Sequence, residues 1–205
     1  SIDTLRADHL STYGYYRNTS PNIDRFASKS ILFENAISQA TWTMPSHTSI
    51  FTSLYPLTHK VLFAEDVLSQ DIKTLPEILK SQGYTTVAFT GWAWPISPKS
   101  GLGRGFDTYN QIDYSKAKLE DLKRSSVHYL DESNPALVWL GNNSDKKFFM
   151  FFHTYSVHDP RFAIKNYSRV FDTSYKGNIL DSEEEFLDMV WDTFVRNYSN
   201  KSNEK

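Results

Sequence analysis

Phe148-Phe149-Met150-Phe151-Phe152 is the stretch that most limits what this chain can become. It holds no polar side chain, yet it is far shorter than the ~18 apolar residues a membrane-spanning helix needs. It therefore reads as a strand buried on both faces. Residues 84–90, β-branched and apolar, read the same way. Helical signals surround these strands. Ser20-Pro21 opens a short helix to about Lys29, with Ser20 as cap and proline in the first turn. Thr74 begins a capped helix through Lys80 that Gly83 stops. Residues 183–195 set Phe186, Leu187, Val190, Trp191 and Phe194 on one helical face. Residues 31–37 read as another strand with Ile31, Phe33 and Ile37 inward, and 92–105, with two prolines and three glycines, as a loop. Helices alternating with apolar strands predict an α/β fold, a mostly parallel sheet sandwiched by helices.

A chain of 205 residues with 40% hydrophobic content supports one sizeable core. A net charge of -2 supplies no basic field, so no nucleic acid is expected as partner. Cysteine is absent, which excludes disulfide and thiol chemistry.

Thr43-Met44-Pro45-Ser46-His47 carries the chemical signal. Pro45 opens a run, to Leu54, with Ile50, Phe51 and Leu54 at helical spacing, so Thr43 falls at a helix N-terminus. The N–H groups and dipole of that terminus stabilise an alkoxide or an adjacent anion. The plain alternative is that Thr43 is an N-cap and nothing more.

Five segments extend the signal. Ser1 to Leu10 (SIDTLRADHL) with Tyr13-Gly14-Tyr15 resembles the opening of the sulfatase family, within the alkaline phosphatase superfamily. Ser20 to Ala27 (SPNIDRFA) resembles that family's next helix, and Thr41 to Pro56 (TWTMPSHTSIFTSLYP) its nucleophile segment. Gly83 to Phe89 with Gly103-Arg104-Gly105-Phe106-Asp107 resembles the following strand and loop. Phe149 to Tyr155 with Val157-His158-Asp159-Pro160 resembles the central strand and substrate loop. The matches run in the family's order over about residues 1–160. The resemblance implies an alkaline-phosphatase-like fold, here incomplete at both ends. Ser1-Ile2-Asp3 reads as the close of a first strand, and residues from about 196 to 205 as a fraying polar tail. The whole, 1–205, reads as the N-terminal part of a larger catalytic domain, expected to be inactive when isolated.

In open parallel sheets, chemistry gathers at the carboxyl ends of the strands. Asp3 falls at one such end, and His153 and His158 follow another. Together with the resemblance, this implies a divalent cation (Zn, Mn, Mg or Ca) held by Asp3 and the Thr43 oxygen, with Thr43 as nucleophile. His47, one turn beyond Thr43, either reaches the anion, or orients the nucleophile, or is a surface histidine. His158 is expected to donate to a substrate oxygen; His153 either joins it there or is a satisfied core histidine. Asp8 and His9 read as structural, and Lys60, Trp92 and Trp94 as candidate rim residues.

Departures from the family pattern narrow the substrate. Usual sulfatases carry Cys or Ser where Thr43 stands, and it is oxidised to formylglycine; threonine, with a methyl on its carbinol carbon, cannot yield that aldehyde. His47 replaces the usual arginine, Thr4 the second carboxylate, and Gly91-Trp92-Ala93-Trp94 the usual Lys and His. The same changes are similar to Thr-nucleophile branches of the superfamily, which include nucleotide phosphodiesterases and enzymes that move phosphoglycerol. The expected activity is metal-dependent hydrolysis or transfer of phosphate or sulfate esters, phosphodiesters preferred, on a small-molecule or lipid- or glycan-linked substrate. A non-catalytic domain binding an anionic ligand or a partner is the alternative, and sulfuric ester hydrolysis the second. Family members often work outside the cytoplasm or at the membrane, so an extracytoplasmic or membrane-associated location is expected.

Overall fold

The computed structural model describes residues 1–91, 94–111, 134–155 and 157–158. Its helices are α1 (Pro21–Ala27), α2 (Thr43–Thr52), α3 (Pro56–His59), α4 (Leu75–Ser81) and α5 (Pro135–Asn143). Its strands are β1 (Thr85–Gly91), β2 (Thr108–Gln111) and β3 (Phe148–Phe152). All three strands are parallel, in the order β2-β1-β3. The segment at Ile2 adds a parallel bridge beside Thr154, just past β3. Three hydrogen bonds hold it there: Ser1 N to Phe152 O, Thr154 N to Ser1 O and Asp3 N to Thr154 O. The expected parallel α/β sheet is therefore present, and Asp3 stands at a carboxyl-end position of it.

Side-chain alternation explains how the sheet is covered. On β1 and β3, Ala88 and Phe151 face α2, packing with Met44 and Phe51 and with Val61, Leu68, Ile96 and Leu102. Val87 and Phe89 face the other way, with Met150 and Phe152 beside them, toward Ala136 and Trp139 of α5. Each strand is thus covered on both faces, which is why β3 reads as an unbroken apolar run and β1 as an uncharged, β-branched one. Phe51 and Phe151 meet edge to face at 4.8 Å, which fixes α2 over the carboxyl half of β3.

The α4 terminus is locked by reciprocal capping. Thr74 N donates to Glu77 Oε2 at 2.8 Å, and Glu77 is the third helical residue. Gly105 passes directly over this turn with φ +83, where a Cβ would lie 2.2 Å from Glu77 N. Strain and a backbone clash act together there, so Gly105→Ala is expected to lower stability by ~3 kcal/mol or more. Urea unfolding of the variant measures it; a loss under ~1 kcal/mol would show that the turn yields freely.

Several expectations are corrected. Residues 31–37 form no strand: Ile31, Phe33 and Ile37 are 85%, 71% and 81% exposed. Among the described residues no strand pairs with this stretch, and an unpaired strand leaves its peptide groups without a ladder. The nucleophile-segment helix runs Thr43–Thr52, not from Pro45 to Leu54, and Ile50 on it is exposed while Phe51 is buried. Ser20 does not cap α1 through its side chain; its hydroxyl donates to Asp24 Oδ1 at 3.1 Å. Within 92–105, short 3-10 turns occupy Trp94–Ile96 and Pro98–Ser100. The helix expected at 183–195 and the tail from about 196 lie outside the described residues. Among the described residues, no helix is long and apolar enough to cross a membrane.

Candidate active site

Thr43 is the first residue of α2, after Trp42 in extended conformation. Its hydroxyl caps nothing; it donates to Asp3 Oδ2 at 3.0 Å, across forty positions of sequence. Pro45, third in the helix, sits where an N–H has no intrahelical partner anyway. Polar residues deeper in α2 turn inward at little cost because they satisfy their own helix. Thr48 donates to the Met44 carbonyl at 2.8 Å and Thr52 to that of Thr48 at 2.7 Å.

Strand alternation carries Phe149, Phe151, His153 and Tyr155 to the face that α2 covers. His153, wholly buried, continues the stack on Phe151 and meets the His47 ring edge to face at 4.8 Å. His47 is buried too, which removes its surface reading. The Ser1 hydroxyl lies between the imidazoles, 3.2 Å from His47 Nε2 and 3.1 Å from His153 Nδ1. Next along, Tyr155 directs its hydroxyl to Thr43 Oγ1 at 3.4 Å, and the His158 ring lies against the Tyr155 ring at 4.7 Å.

Proton positions in this cluster follow from a single anchor. His47 Nδ1 lies 2.8 Å from the Thr43 carbonyl, which can only accept, so Nδ1 carries hydrogen. Burial lowers the His47 pKa, leaving Nε2 as acceptor for the Ser1 hydroxyl. Ser1 Oγ then accepts from His153 Nδ1–H. Burial, reinforced by repulsion from His47, lowers the His153 pKa to about 3, so His153 is neutral and its Nε2 holds a lone pair. That atom has no hydrogen-bond partner among the described residues and stands 3.6 Å from Asp3 Oδ2. Two electron-pair donors thus face each other beside the Thr43 hydroxyl.

The backbone at Asp3 is also special. Thr4 has φ +55, an unfavourable conformation for a β-branched residue, and its hydroxyl donates to the Val157 carbonyl at 3.2 Å. This ties the Asp3 turn to the loop that bears His158. Backbone strain of this kind persists where surrounding contacts over-determine it.

The sequence model of the sulfatase family matches residues 1–203. This chain belongs to the sulfatase family. It is 29% identical over 104 residues to an N-acetylgalactosamine-6-O-sulfatase of Bacteroides thetaiotaomicron, a match covering 48% of the chain and 20% of that relative. It is 37% identical over 90 residues to iduronate 2-sulfatase of Mus musculus, covering 42% of the chain and 16% of the relative. The matched part is thus a fifth or less of these relatives' lengths. Among solved structures, the phosphonate monoester hydrolase of Agrobacterium radiobacter shares the fold, with TM-score 0.62 and 18% identity over 78% of this chain and 40% of that one.

Of the site residues read from the sequence of this sulfatase-family chain, Asp3, Thr43, His47 and His153 converge directly, and His158 joins them through Tyr155. Asp8 and His9 are exposed, and Asp8 pairs with both Arg6 and His9. Lys60 is exposed at the left-handed end of α3, and Trp92 lies outside the described residues. Ser1 and Tyr155 were not singled out. Their signal was strand parity, since Ser1 shares a face with Asp3 and Tyr155 with His153.

Proposed function

We propose that the full-length protein carrying this chain hydrolyses or transfers phosphate or sulfate esters, phosphodiesters preferred, with Thr43 as nucleophile. The hydrogen bond from Thr43 Oγ1 to Asp3 Oδ2, made at the first residue of α2, carries this reading. Family membership supports the ester chemistry, and the secondary alcohol of threonine, which cannot become an aldehyde, favours its direct use as nucleophile.

Thr43 Oγ1 gives up its proton to water as it forms its bond to phosphorus or sulfur, and the bond from that centre to the substrate alcohol breaks. The alcohol leaves with a proton from water. Water, or an acceptor alcohol, then displaces Thr43 from the covalent ester. The start of α2 offers its positive dipole end to the negative ester. His47 orients Thr43 by donating from Nδ1 to its carbonyl. His158 donates to a substrate oxygen. Tyr155, whose hydroxyl points at Thr43 Oγ1, loses that acceptor when Oγ1 is esterified and turns its donor to the ester oxygens. Tyr155→Phe is accordingly expected to lower kcat by ~10–100-fold with KM nearly unchanged. Steady-state kinetics checks this, and an unaltered kcat would remove Tyr155 from the mechanism.

The carboxylate of Asp3, the Thr43 oxygen and the buried Nε2 of His153, without a hydrogen-bond partner among the described residues, form a donor set that fits a divalent cation. Among the described residues no three His, Cys, Asp or Glu side chains gather around one point, so other residues or water complete the shell. When bound, the cation lowers the pKa of the Thr43 hydroxyl and offsets charge on the ester.

The test is an assay of the full-length protein on bis-nitrophenyl phosphate, nitrophenyl phosphate and nitrophenyl sulfate, before and after chelation. The diester is expected to give the highest kcat/KM, and chelation to abolish turnover until a divalent ion is returned. Turnover indifferent to chelation, or confined to the sulfate, contradicts the proposal.

A further inference from the structure

His153 was expected at the substrate or in a satisfied core; it is fully buried, with Nδ1 on the Ser1 hydroxyl and Nε2 without a hydrogen-bond partner among the described residues. We infer that His153 Nε2 is itself a ligand of the cation held at Asp3 and Thr43, and that the site therefore selects Zn or a neighbouring late first-row ion over Mg and Ca. The inference rests on the cation reading above and extends it to the metal's identity.

Three observations carry it. First, the hydrogen-bond chain that starts at the Thr43 carbonyl and passes through His47 and Ser1 ends by placing hydrogen on His153 Nδ1. Nε2 is left as a bare lone pair, the form in which imidazole binds metals. The Ser1 hydroxyl also fixes the ring's orientation, as outer partners of metal-binding histidines do. Second, Nε2 is a buried atom with no hydrogen-bond partner among the described residues, in a side chain with no exposed surface. Leaving such an atom unpaired costs ~1–3 kcal/mol, which a ligand bond removes. Third, Nε2 lies 3.6 Å from Asp3 Oδ2, a gap that one ion bridges with bonds of ~2.0–2.2 Å to each. A hydrogen bond cannot close that gap, because neither atom carries hydrogen in this arrangement.

The nitrogen determines selectivity. Mg and Ca are hard ions that take oxygen ligands, and an imidazole in their shell replaces a better donor with a poorer one. Late first-row ions bind imidazole strongly, in the order that rises toward copper. The departure of Thr4 from a carboxylate acts in the same direction, since it leaves the described part of the site with one acidic oxygen donor rather than two.

The experiment uses the full-length protein stripped of metal and titrated with Zn and with Ca against a competing indicator. His153→Gln is expected to weaken Zn binding ~100-fold or more and to change Ca binding less than ~3-fold. Asp3→Asn is the control. Zn binding that depends on Asp3 but not on His153 overturns this inference and leaves the proposed function standing. Binding that depends on neither, or no binding at all, takes both down. Should His153→Gln fail to fold, the wild-type protein still decides. In nitrogen NMR of its histidine rings, added Zn is expected to move the unprotonated Nε2 resonance of His153 and not its Nδ1, and an unmoved Nε2 overturns the inference.

Discussion

Thr43→Ala is expected to reduce kcat/KM on the preferred ester by ~10⁴-fold or more, because the covalent ester can no longer form. The fold should survive. Thr43 is only half-buried, it makes no side-chain cap, and the bonds lost are those to Asp3 and Tyr155. Alanine is at ease in a first helical turn. The alternative that Thr43 merely starts a helix predicts the reverse pattern. Loss of a cap costs ~1 kcal/mol of stability and leaves turnover in place. Thr43→Ser separates the effects of hydroxyl and methyl: it keeps the nucleophile and should retain measurable turnover. Kinetics on both variants, with a thermal melt of each, constitute the check. Full activity in the alanine variant would end the assignment of Thr43.

What was legible in the chain follows from periodicity. The uncharged runs at 84–90, β-branched and apolar, and at 148–152, wholly apolar, became β1 and β3 nearly to the residue, because a strand covered on both faces leaves no room for a charged side chain. Parity along β3 then extended past its end, and the same two-residue step that buries Phe149 and Phe151 brings His153 and Tyr155 under α2. Residues 31–37 show the limit. Their alternation is that of a strand, but a strand exists only when a partner takes its peptide groups, and a local pattern does not supply one. The polar β2, Thr-Tyr-Asn-Gln, has the opposite problem: it pairs with β1, outermost among the described strands, with no apolar run to announce it. For α5 a signal stood unused, since Asn134 caps it by accepting from Ala136 N at 2.8 Å and Pro135 opens it. Within the site, the meeting of Asp3 with Thr43 was expected from family resemblance, whereas the Ser1 bridge between two imidazoles was not. Such a bridge depends on which rotamers the packing allows, and sequence spacing carries no record of that.

Acid should unfold this protein well before its carboxylates titrate. His47, His59 and His153 are buried, and burial lowers the pKa of each; His153 falls to about 3. His59 is fixed as neutral by geometry, since its Nδ1 accepts from Val61 N at 3.1 Å, leaving Nε2–H for the Ser49 hydroxyl at 3.1 Å. The unfolded chain therefore binds more protons than the folded one once pH drops below the ordinary histidine value of about 6.5. Stability is fully present above that value and declines as pH falls toward the depressed folded pKa values. Each ring that stays neutral in the folded protein while its unfolded counterpart charges adds up to ~1.4 kcal/mol per pH unit to the slope. Carboxylates enter later: Asp66, held low by the Leu62 and Phe63 amides, and Asp107, held low by Lys80, lose their contribution only below the usual carboxylate range. Denaturant unfolding of the chelated protein between pH 7.5 and 5.0 measures the slope. A His59→Gln variant should flatten it, by at most one proton's worth, ~1.4 kcal/mol per unit, since glutamine does not titrate. Its stability at pH 7.5 will be lower, but the slope depends on proton uptake and not on that offset. A flat profile from 7.5 to 5.0 in the parent protein would mean that these rings already accept protons when folded, and the fixed hydrogen positions that leave His153 Nε2 bare would be lost with them.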